Sequence, residues 1–265
     1  MGTTPSIALV DTHAHLVGSE FDADRDEVIA RAHDAGVSTI ITVGTEVESG
    51  QRSIELAENY PGILAAVGVH PHQSSTATEA DIESIARLAE HPKVVAIGEI
   101  GLDFYRDYSP RDSQLPVFQQ QLEMAARLDL PVIIHCRQAH EEMLAILYNW
   151  TARHADRPSP GVIHCFMGDT ETSRQYLEMG FYLSLGGYIT YPVNRDAHDV
   201  IRGIPANRLM VETDCPFLTP QRFRGQRNEP AYVRYTAEEL AGIRGVPLET
   251  LARETTENVR RLFGW

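Results

Sequence analysis

The stretch Ile7-Ala8-Leu9-Val10-Asp11-Thr12-His13-Ala14-His15 sets a pattern that the rest of the chain repeats. A short apolar run stops abruptly at residues able to do chemistry. Seven further runs follow, at 39–43, 63–69, 94–97, 131–134, 162–163, 181–185 and 209–211. Each is apolar almost throughout, not alternating, which marks strands buried on both faces of a parallel sheet. Helical patterns lie between them. Asp22 is expected to open one that Gly36 closes, and Thr45 with Glu48 has capping-box spacing before Ile54 and Ala57. Met143, Leu144, Leu147 and Trp150 form an apolar stripe on another, and Gly180 ends the helix carrying Tyr176 and Leu177. With strand ends at His15, Gly44, His70, Glu99, His135, His164, Leu185 and Asp214, successive ends are 21 to 36 residues apart. That spacing accommodates one strand, one helix and two short loops. Eight such units predict a (β/α)8 TIM barrel, an α/β fold whose active site lies at the C-terminal ends of its strands.

The 265 residues suit one such barrel, and no linker or shift of composition divides them, so a single domain over 1–265 is expected. Hydrophobic residues make up 43% and charged residues 23%, enough apolar material for a large core. The formal net charge of −14 excludes a broadly basic surface for long tracts of nucleic acid or an anionic membrane. Of 23 basic residues only Lys93 is a lysine, and the three cysteines have no CxxC spacing. No basic region followed by an apolar stretch opens the chain and no apolar run approaches membrane-spanning length. The expectation is a cytoplasmic protein without an obligate protein partner.

The polar residues at the strand ends define the chemistry. His13 and His15 follow the first strand, Glu99 the fourth, His135 the fifth, His164 the sixth and Asp214 the eighth. A strand-end histidine bonded to a backbone carbonyl would explain any one of these, but not five such ends on one face of the barrel. Alternation puts His13 and His15 on the same side of their strand, so both reach a single ion. Four imidazoles and two carboxylates make a metal site. They exceed the three protein ligands usual for one open catalytic ion, and fit two ions about 3.5–4 Å apart that share a carboxylate and hold a hydroxide between them. A carbamylated lysine bridges some barrel hydrolases, but Lys93 precedes its strand, so Glu99 is the bridge available. His13, His15 and Asp214 are then expected on one ion, His135 and His164 on the other. Magnesium, manganese and zinc all remain open as the two divalent cofactors.

Several of these segments resemble the TatD family of metal-dependent deoxyribonucleases. They are Asp11-Thr12-His13-Ala14-His15-Leu16, Gly68-Val69-His70-Pro71-His72 and Gly98-Glu99-Ile100-Gly101-Leu102-Asp103. Pro131 to Arg137, Leu209 to Pro216, Arg224 to Pro230 and Asn258 to Phe263 add to the likeness, which runs from the first strand to the last helix. The resemblance implies a TIM barrel, two divalent metals on the six residues above, and hydrolysis of nucleic-acid phosphodiesters. One position departs from it: Val17 stands where the family commonly has an acidic residue, a place Glu20 could fill.

The remaining assignments follow from position. Pro71 breaks strand geometry, so His70 and His72 belong to a loop over the site, with His70 contacting phosphate or protonating the leaving oxygen, as the resemblance supports. Glu212 is two residues before Asp214, on the same face and one layer deeper, and is read as an acceptor orienting a ligand histidine; Asp11 stands likewise to His13. Cys136, Cys165 and Cys215 each follow a ligand and are turned from its face, as inert buried thiols. His33, His91, His140, His154 and His198 are expected at the surface or at helix ends. Asp214 accepts the nucleophile's proton, Arg137 or Arg224 holds a phosphate oxygen, and Arg222 and Arg227 are further candidates for phosphate contact. With few basic contacts available for a long duplex, DNA strand ends are the expected substrate, cleaved in the 3′-5′ direction. The rivals are an amidase or carboxylic esterase on the same barrel and a metal-binding module without catalysis.

Overall fold

A computed structural model describes residues 7–106 and 108–264. Eight strands form one parallel sheet in chain order. The elements are β1 (Leu9–Ala14), α1 (Arg25–Asp34), β2 (Val37–Val43), α2 (Val47–Asn59), β3 (Ile63–Val67), α3 (Glu79–Leu88), β4 (Val94–Asp103) and α4 (Arg111–Arg127). There follow β5 (Val132–Arg137), α5 (His140–Arg153), β6 (Gly161–Ile163), α6 (Thr170–Glu178), β7 (Tyr182–Leu185), α7 (Ala197–Gly203), β8 (Leu209–Val211), α8 (Val233–Arg244) and α9 (Leu248–Phe263). The ring closes where Ala14 bridges Cys215, with His15 N donating to Cys215 O at 2.8 Å and Asp214 N to His13 O at 2.9 Å. This is the (β/α)8 barrel that the spacing predicts.

Two apolar layers hold it. The larger packs the outward strand residues, such as Leu9, Ile40, Ile134 and Leu183, against the helices through Phe118, Leu147, Trp150 and Leu240. The smaller fills the barrel's interior: Val10, Ile41, Ala66, Ile133, Val162, Tyr182 and Met210 meet Val259, Leu262 and Phe263 of α9. Fully burying one side chain of this size contributes about 1.5–3 kcal/mol, so α9 plugs one end of the barrel and leaves the other for polar residues.

The structure corrects several boundaries. β4 does not end at Glu99 but runs to Asp103, every residue buried, because Gly98, Glu99 and Gly101 interrupt the apolar run without interrupting the strand. β3 stops at Val67, short of His70. Asp22 does not open α1; Asp24 stands at that end, while Asp22 pairs with Arg25 at 2.6 Å. Thr45 and Glu48 do not cap α2 either. Ser49 Oγ instead accepts from Thr45 N at 2.8 Å and from Glu46 N at 3.0 Å. Met143, Leu147 and Trp150 are buried on α5 as the stripe requires, and Gly180 follows α6 with φ of +90°, a left-handed turn that suits glycine.

Candidate metal centre

The unplugged end of the barrel is built by continuing the inward rows of the strands. Two residues beyond Ile133 lies His135, two beyond Val162 lies His164, and two and four beyond Met210 lie Glu212 and Asp214. On these three strands period-two alternation carries the apolar row directly into the polar one, whereas on β1 a register shift between Asp11 and Ala14 interrupts the alternation that starts from Val10. Asp214 has a φ of +57°, a left-handed conformation that aspartate tolerates better than most residues, and its N–H bond to His13 O holds it there.

Glu99, 2% exposed, stands at the centre. Its Oε2 is 3.3 Å from His13 Nε2 and 3.6 Å from His15 Nε2. Oε1 is 2.9 Å from His135 Nδ1 and 2.9 Å from His164 Nε2. Asp214 Oδ1 lies 3.5 Å from His15 Nε2 and 3.8 Å from His13 Nε2. All six strand-end residues therefore converge, with one oxygen of Glu99 turned to each half.

The outer hydrogen bonds decide which ring nitrogen carries the proton. His15 Nδ1 faces the carbonyl of Val43 at 3.2 Å, an acceptor only, so it must donate. His164 and His135 meet a carboxylate on both sides; in the neutral tautomer that leaves the inner nitrogen bare, His164 Nδ1 donates to Glu212 Oε1 at 3.3 Å and His135 Nε2 to Asp103 Oδ2 at 3.0 Å. The opposite nitrogen of each neutral ring then turns a bare lone pair toward Glu99 or Asp214. Lone pair against carboxylate is repulsive unless a proton or a cation lies between them. This donor set fits divalent cations, with outer carboxylates and carbonyls orienting the rings.

The electrostatics agree. Burial raises the carboxyl of Glu99, but His70, His164 and His13 outweigh it and hold the group well below its usual range. Burial lowers His164, yet the carboxylates of Glu99 and Glu212 pull it well above the ordinary imidazole range. His15 and His135 are also raised against their burial, through Asp214 and Asp103 respectively and through Glu99. The cluster thus demands positive charge.

His70 differs from the others. Its Nδ1 accepts from His72 N at 3.1 Å, so its proton sits on Nε2, 3.4 Å from Glu99 Oε1. Burial pushes this ring down to about 4, leaving a neutral donor aimed at the centre. Although His70 could join Glu99 and His135 around an ion by distance alone, this tautomer presents a hydrogen there and not a lone pair.

Other residues fall elsewhere than expected. Asp11 does not orient an imidazole: it accepts from Thr213 N at 2.9 Å, Thr213 Oγ1 at 2.6 Å and His13 N at 3.3 Å, tying β1 to the end of β8. His13 Nδ1 is buried without a hydrogen-bond partner among the described residues. Glu212 also accepts from Cys165 N at 2.7 Å. Arg227 is committed to Asp24 at 2.7 Å and to the carbonyl of Glu20, so it is a loop anchor and not a phosphate contact. Glu20 is exposed, and no contact of its side chain reaches the centre among the described residues. Arg137 lies 4.0 Å over the Tyr105 ring and Arg224 4.3 Å over Tyr191; neither pairs with a carboxylate among the described residues. Burial pushes the Cys136 thiol up to about 12 and those of Cys165 and Cys215 well above the usual range. His140 opens α5, at a helix end as expected, and is half-buried there, with Nδ1 3.3 Å from Cys136 Sγ and 3.0 Å from Tyr176 Oη.

Asp103 was missed in the sequence. Its Oδ2 takes both His135 Nε2 and His72 Nε2, the latter at 2.9 Å. Those bonds hold its carboxyl far below the usual range although burial opposes them. The signal was present: Asp103 is four residues beyond Glu99 and therefore on the same face of β4.

Fold and centre together define a metal-dependent hydrolase of the barrel class. The family described as TatD-related DNase matches residues 10–264, and the chain belongs to that family. A relative from Bacillus subtilis (strain 168), named uncharacterized metal-dependent hydrolase YabD, is 45% identical over 255 residues, covering 96% of this chain and 98% of the relative. The 3′-5′ ssDNA/RNA exonuclease TatD of Klebsiella pneumoniae (strain 342) is 38% identical over 262 residues, covering 97% and 98%. The crystal structure of YJJV, a TatD homolog from Escherichia coli K12, superposes with a TM-score of 0.90 at 34% identity, covering 97% of this chain and 98% of that one.

Proposed function

We propose that the protein is an exonuclease that removes nucleotides from the 3′ ends of single-stranded DNA, using two divalent cations. One observation carries the reading: a buried carboxylate, Glu99, faces two sets of imidazole nitrogens with its two oxygens. His13, His15 and Asp214 would hold one ion and His135 and His164 the other, with Glu99 serving both. When bound, the cations supply charge for the scissile phosphate and lower the pKa of an attacking water. Asp214, at the edge of the cluster, accepts the proton of that water. His70 donates from Nε2 to a phosphate oxygen or to the leaving oxygen. Arg137 and Arg224, free of carboxylate partners, hold non-bridging oxygens. Glu212 and Asp103 keep the rings of His164 and His135 in the tautomers that present lone pairs inward.

The net charge of −14 favours attack at a strand end over wrapping a long duplex, and the name of the Klebsiella relative, a 3′-5′ ssDNA/RNA exonuclease, supports that direction and substrate class. Three free cysteines suit a reducing cytoplasm, and no described helix is long and apolar enough to cross a membrane. The test is digestion of 3′- and 5′-labelled single-stranded DNA by chelator-stripped protein with magnesium, manganese or zinc restored. Loss of nucleotides from the 3′ end, dependent on cation, is expected. Intact strands beside hydrolysis of small carboxylic esters or amides would replace the reading with the rival hydrolase.

A further inference from the structure

Among the described residues six large apolar side chains are exposed, and five stand on loops that leave the C-terminal ends of strands. Tyr105 and Tyr108 follow β4, Met167 follows β6, Val193 follows β7 and Phe217 follows β8; the sixth, Tyr148, is on α5. A soluble protein that gathers exposed apolar groups around one opening presents a contact surface there. In an eight-stranded ring β4 and β8 are diametrically opposed, so Tyr108 and Phe217 rise from opposite sides of the mouth.

Each ring abuts a different half of the centre. Phe217, 56% exposed, sets its ring edge-on to His15 with centroids 6.1 Å apart. Tyr108, 63% exposed, is edge-on to His72 at 4.8 Å, and His72 shares Asp103 with His135. Tyr105 has one face covered by Arg137, whereas Tyr108 and Phe217 have no guanidinium over them among the described residues. The backbone of Phe217 is held directly, and that of Tyr108 through the residue that follows it. Phe217 N donates to Asp214 O at 2.9 Å, and its carbonyl accepts from the buried Asn228 Nδ2 at 2.6 Å. Beside Tyr108, Ser109 donates from Oγ to His72 O at 2.7 Å, and its carbonyl accepts from Gln114 Nε2 at 2.8 Å. Rigid backbones carrying exposed aromatic faces are the usual furniture of sites that stack unpaired bases, a mode that needs few phosphate contacts.

We propose that Phe217 and Tyr108 are two nucleobase platforms, one on each side of the centre, that splay apart the bases flanking the scissile phosphate. The proposal rests on the phosphodiesterase reading above and adds to it the cause of single-strand preference: two bases held on opposite walls cannot remain stacked or paired in a duplex.

The test compares kcat/KM for a single-stranded oligodeoxynucleotide with that for two copies carrying a tetrahydrofuran abasic residue at the 3′-terminal or the penultimate position. The protein is tested as wild type, Phe217→Ala, Phe217→Trp and Tyr108→Ala, with bound metal measured in each. Each missing base is expected to slow the wild type about 10-fold. Phe217→Ala should lose that penalty at one of the two positions and Tyr108→Ala at the other, with metal content unchanged, and Phe217→Trp should keep it. Full abasic penalties in both alanine variants, or equal slowing on all three substrates, would overturn the proposal. A wild type that digests all three at one rate fails the platforms alone, whereas one that leaves the unmodified strand intact fails the phosphodiesterase reading.

Discussion

The two halves of the barrel's interior share strands, faces and backbone geometry, and differ in side-chain chemistry. In the lower half Ile133, Val162 and Met210 pack with one another and with α9. Two residues further along, the same rows present His135, His164 and Glu212. The lower half gains free energy from removing apolar surface from water. The upper half opposes folding, because Glu99, Asp11 and Glu212, at 0–2% exposure, have left water for a crowded ionisable cluster. The difference teaches that the centre is a destabilising assembly held in place by the apolar plug and walls below it. Its geometry is supplied by strands whose stability comes from elsewhere.

The largest expected effect lies in the upper half. Glu99→Ala should lower turnover by about 10³-fold or more while thermal unfolding stays close to wild type or improves, since a buried carboxylate is removed; retained turnover would break the assignment of Glu99 to both ions. In the lower half the sign of the contrast reverses. Met210→Ala should cost about 2–5 kcal/mol in denaturant unfolding and leave kcat of the folded fraction near wild type. Loss of activity without loss of stability there would erase the distinction between the halves. Glu212→Gln, two residues beyond Met210, should weaken metal affinity about 10–100-fold, read by competition with a chromogenic chelator, because the ring of His164 loses its charged acceptor.

The pH response is a milder effect. His15, His135 and His164 are held above the ordinary imidazole range, carboxylate neighbours outweighing burial. In cation-free protein these rings keep their protons to higher pH, and a cation must displace them to bind. At fixed cation concentration activity should fall as pH drops from about 7 to 5, and more cation should move the acid limb to lower pH. An acid limb indifferent to cation concentration would shift the cause to a group outside this competition, and that group would not be His70, which burial pushes down to about 4, below this window. Cys136→Ala should do least: its thiol is pushed up to about 12 and lies against His140 and Tyr176, so turnover and metal content should match wild type.

The barrel was legible because its strands are short apolar runs at a regular spacing, a signal that survives without tertiary information. The six convergent residues were legible for a related reason, since polar groups that terminate such runs must face the open end. β4 was misjudged where Gly98, Glu99 and Gly101 broke the apolar pattern within a continuous strand, and Asp103 was lost with it. Asp11 bonds Thr213, just beyond the end of β8, a contact that spans more than 200 residues of chain and leaves no local trace. Arg227 and Arg224 lie three residues apart in one loop, yet only the first meets Asp24. Phe217 and Tyr108 had no periodicity to mark them, because exposed loop residues answer to a ligand and not to a core.

Manganese titration of chelator-stripped protein, followed by electron paramagnetic resonance, tests the shared role of Glu99 most directly. Two ions per chain giving a spin-coupled signal, lost in Glu99→Ala, is the expected result. A single uncoupled ion in the wild type, or a coupled pair that survives Glu99→Ala, would contradict it.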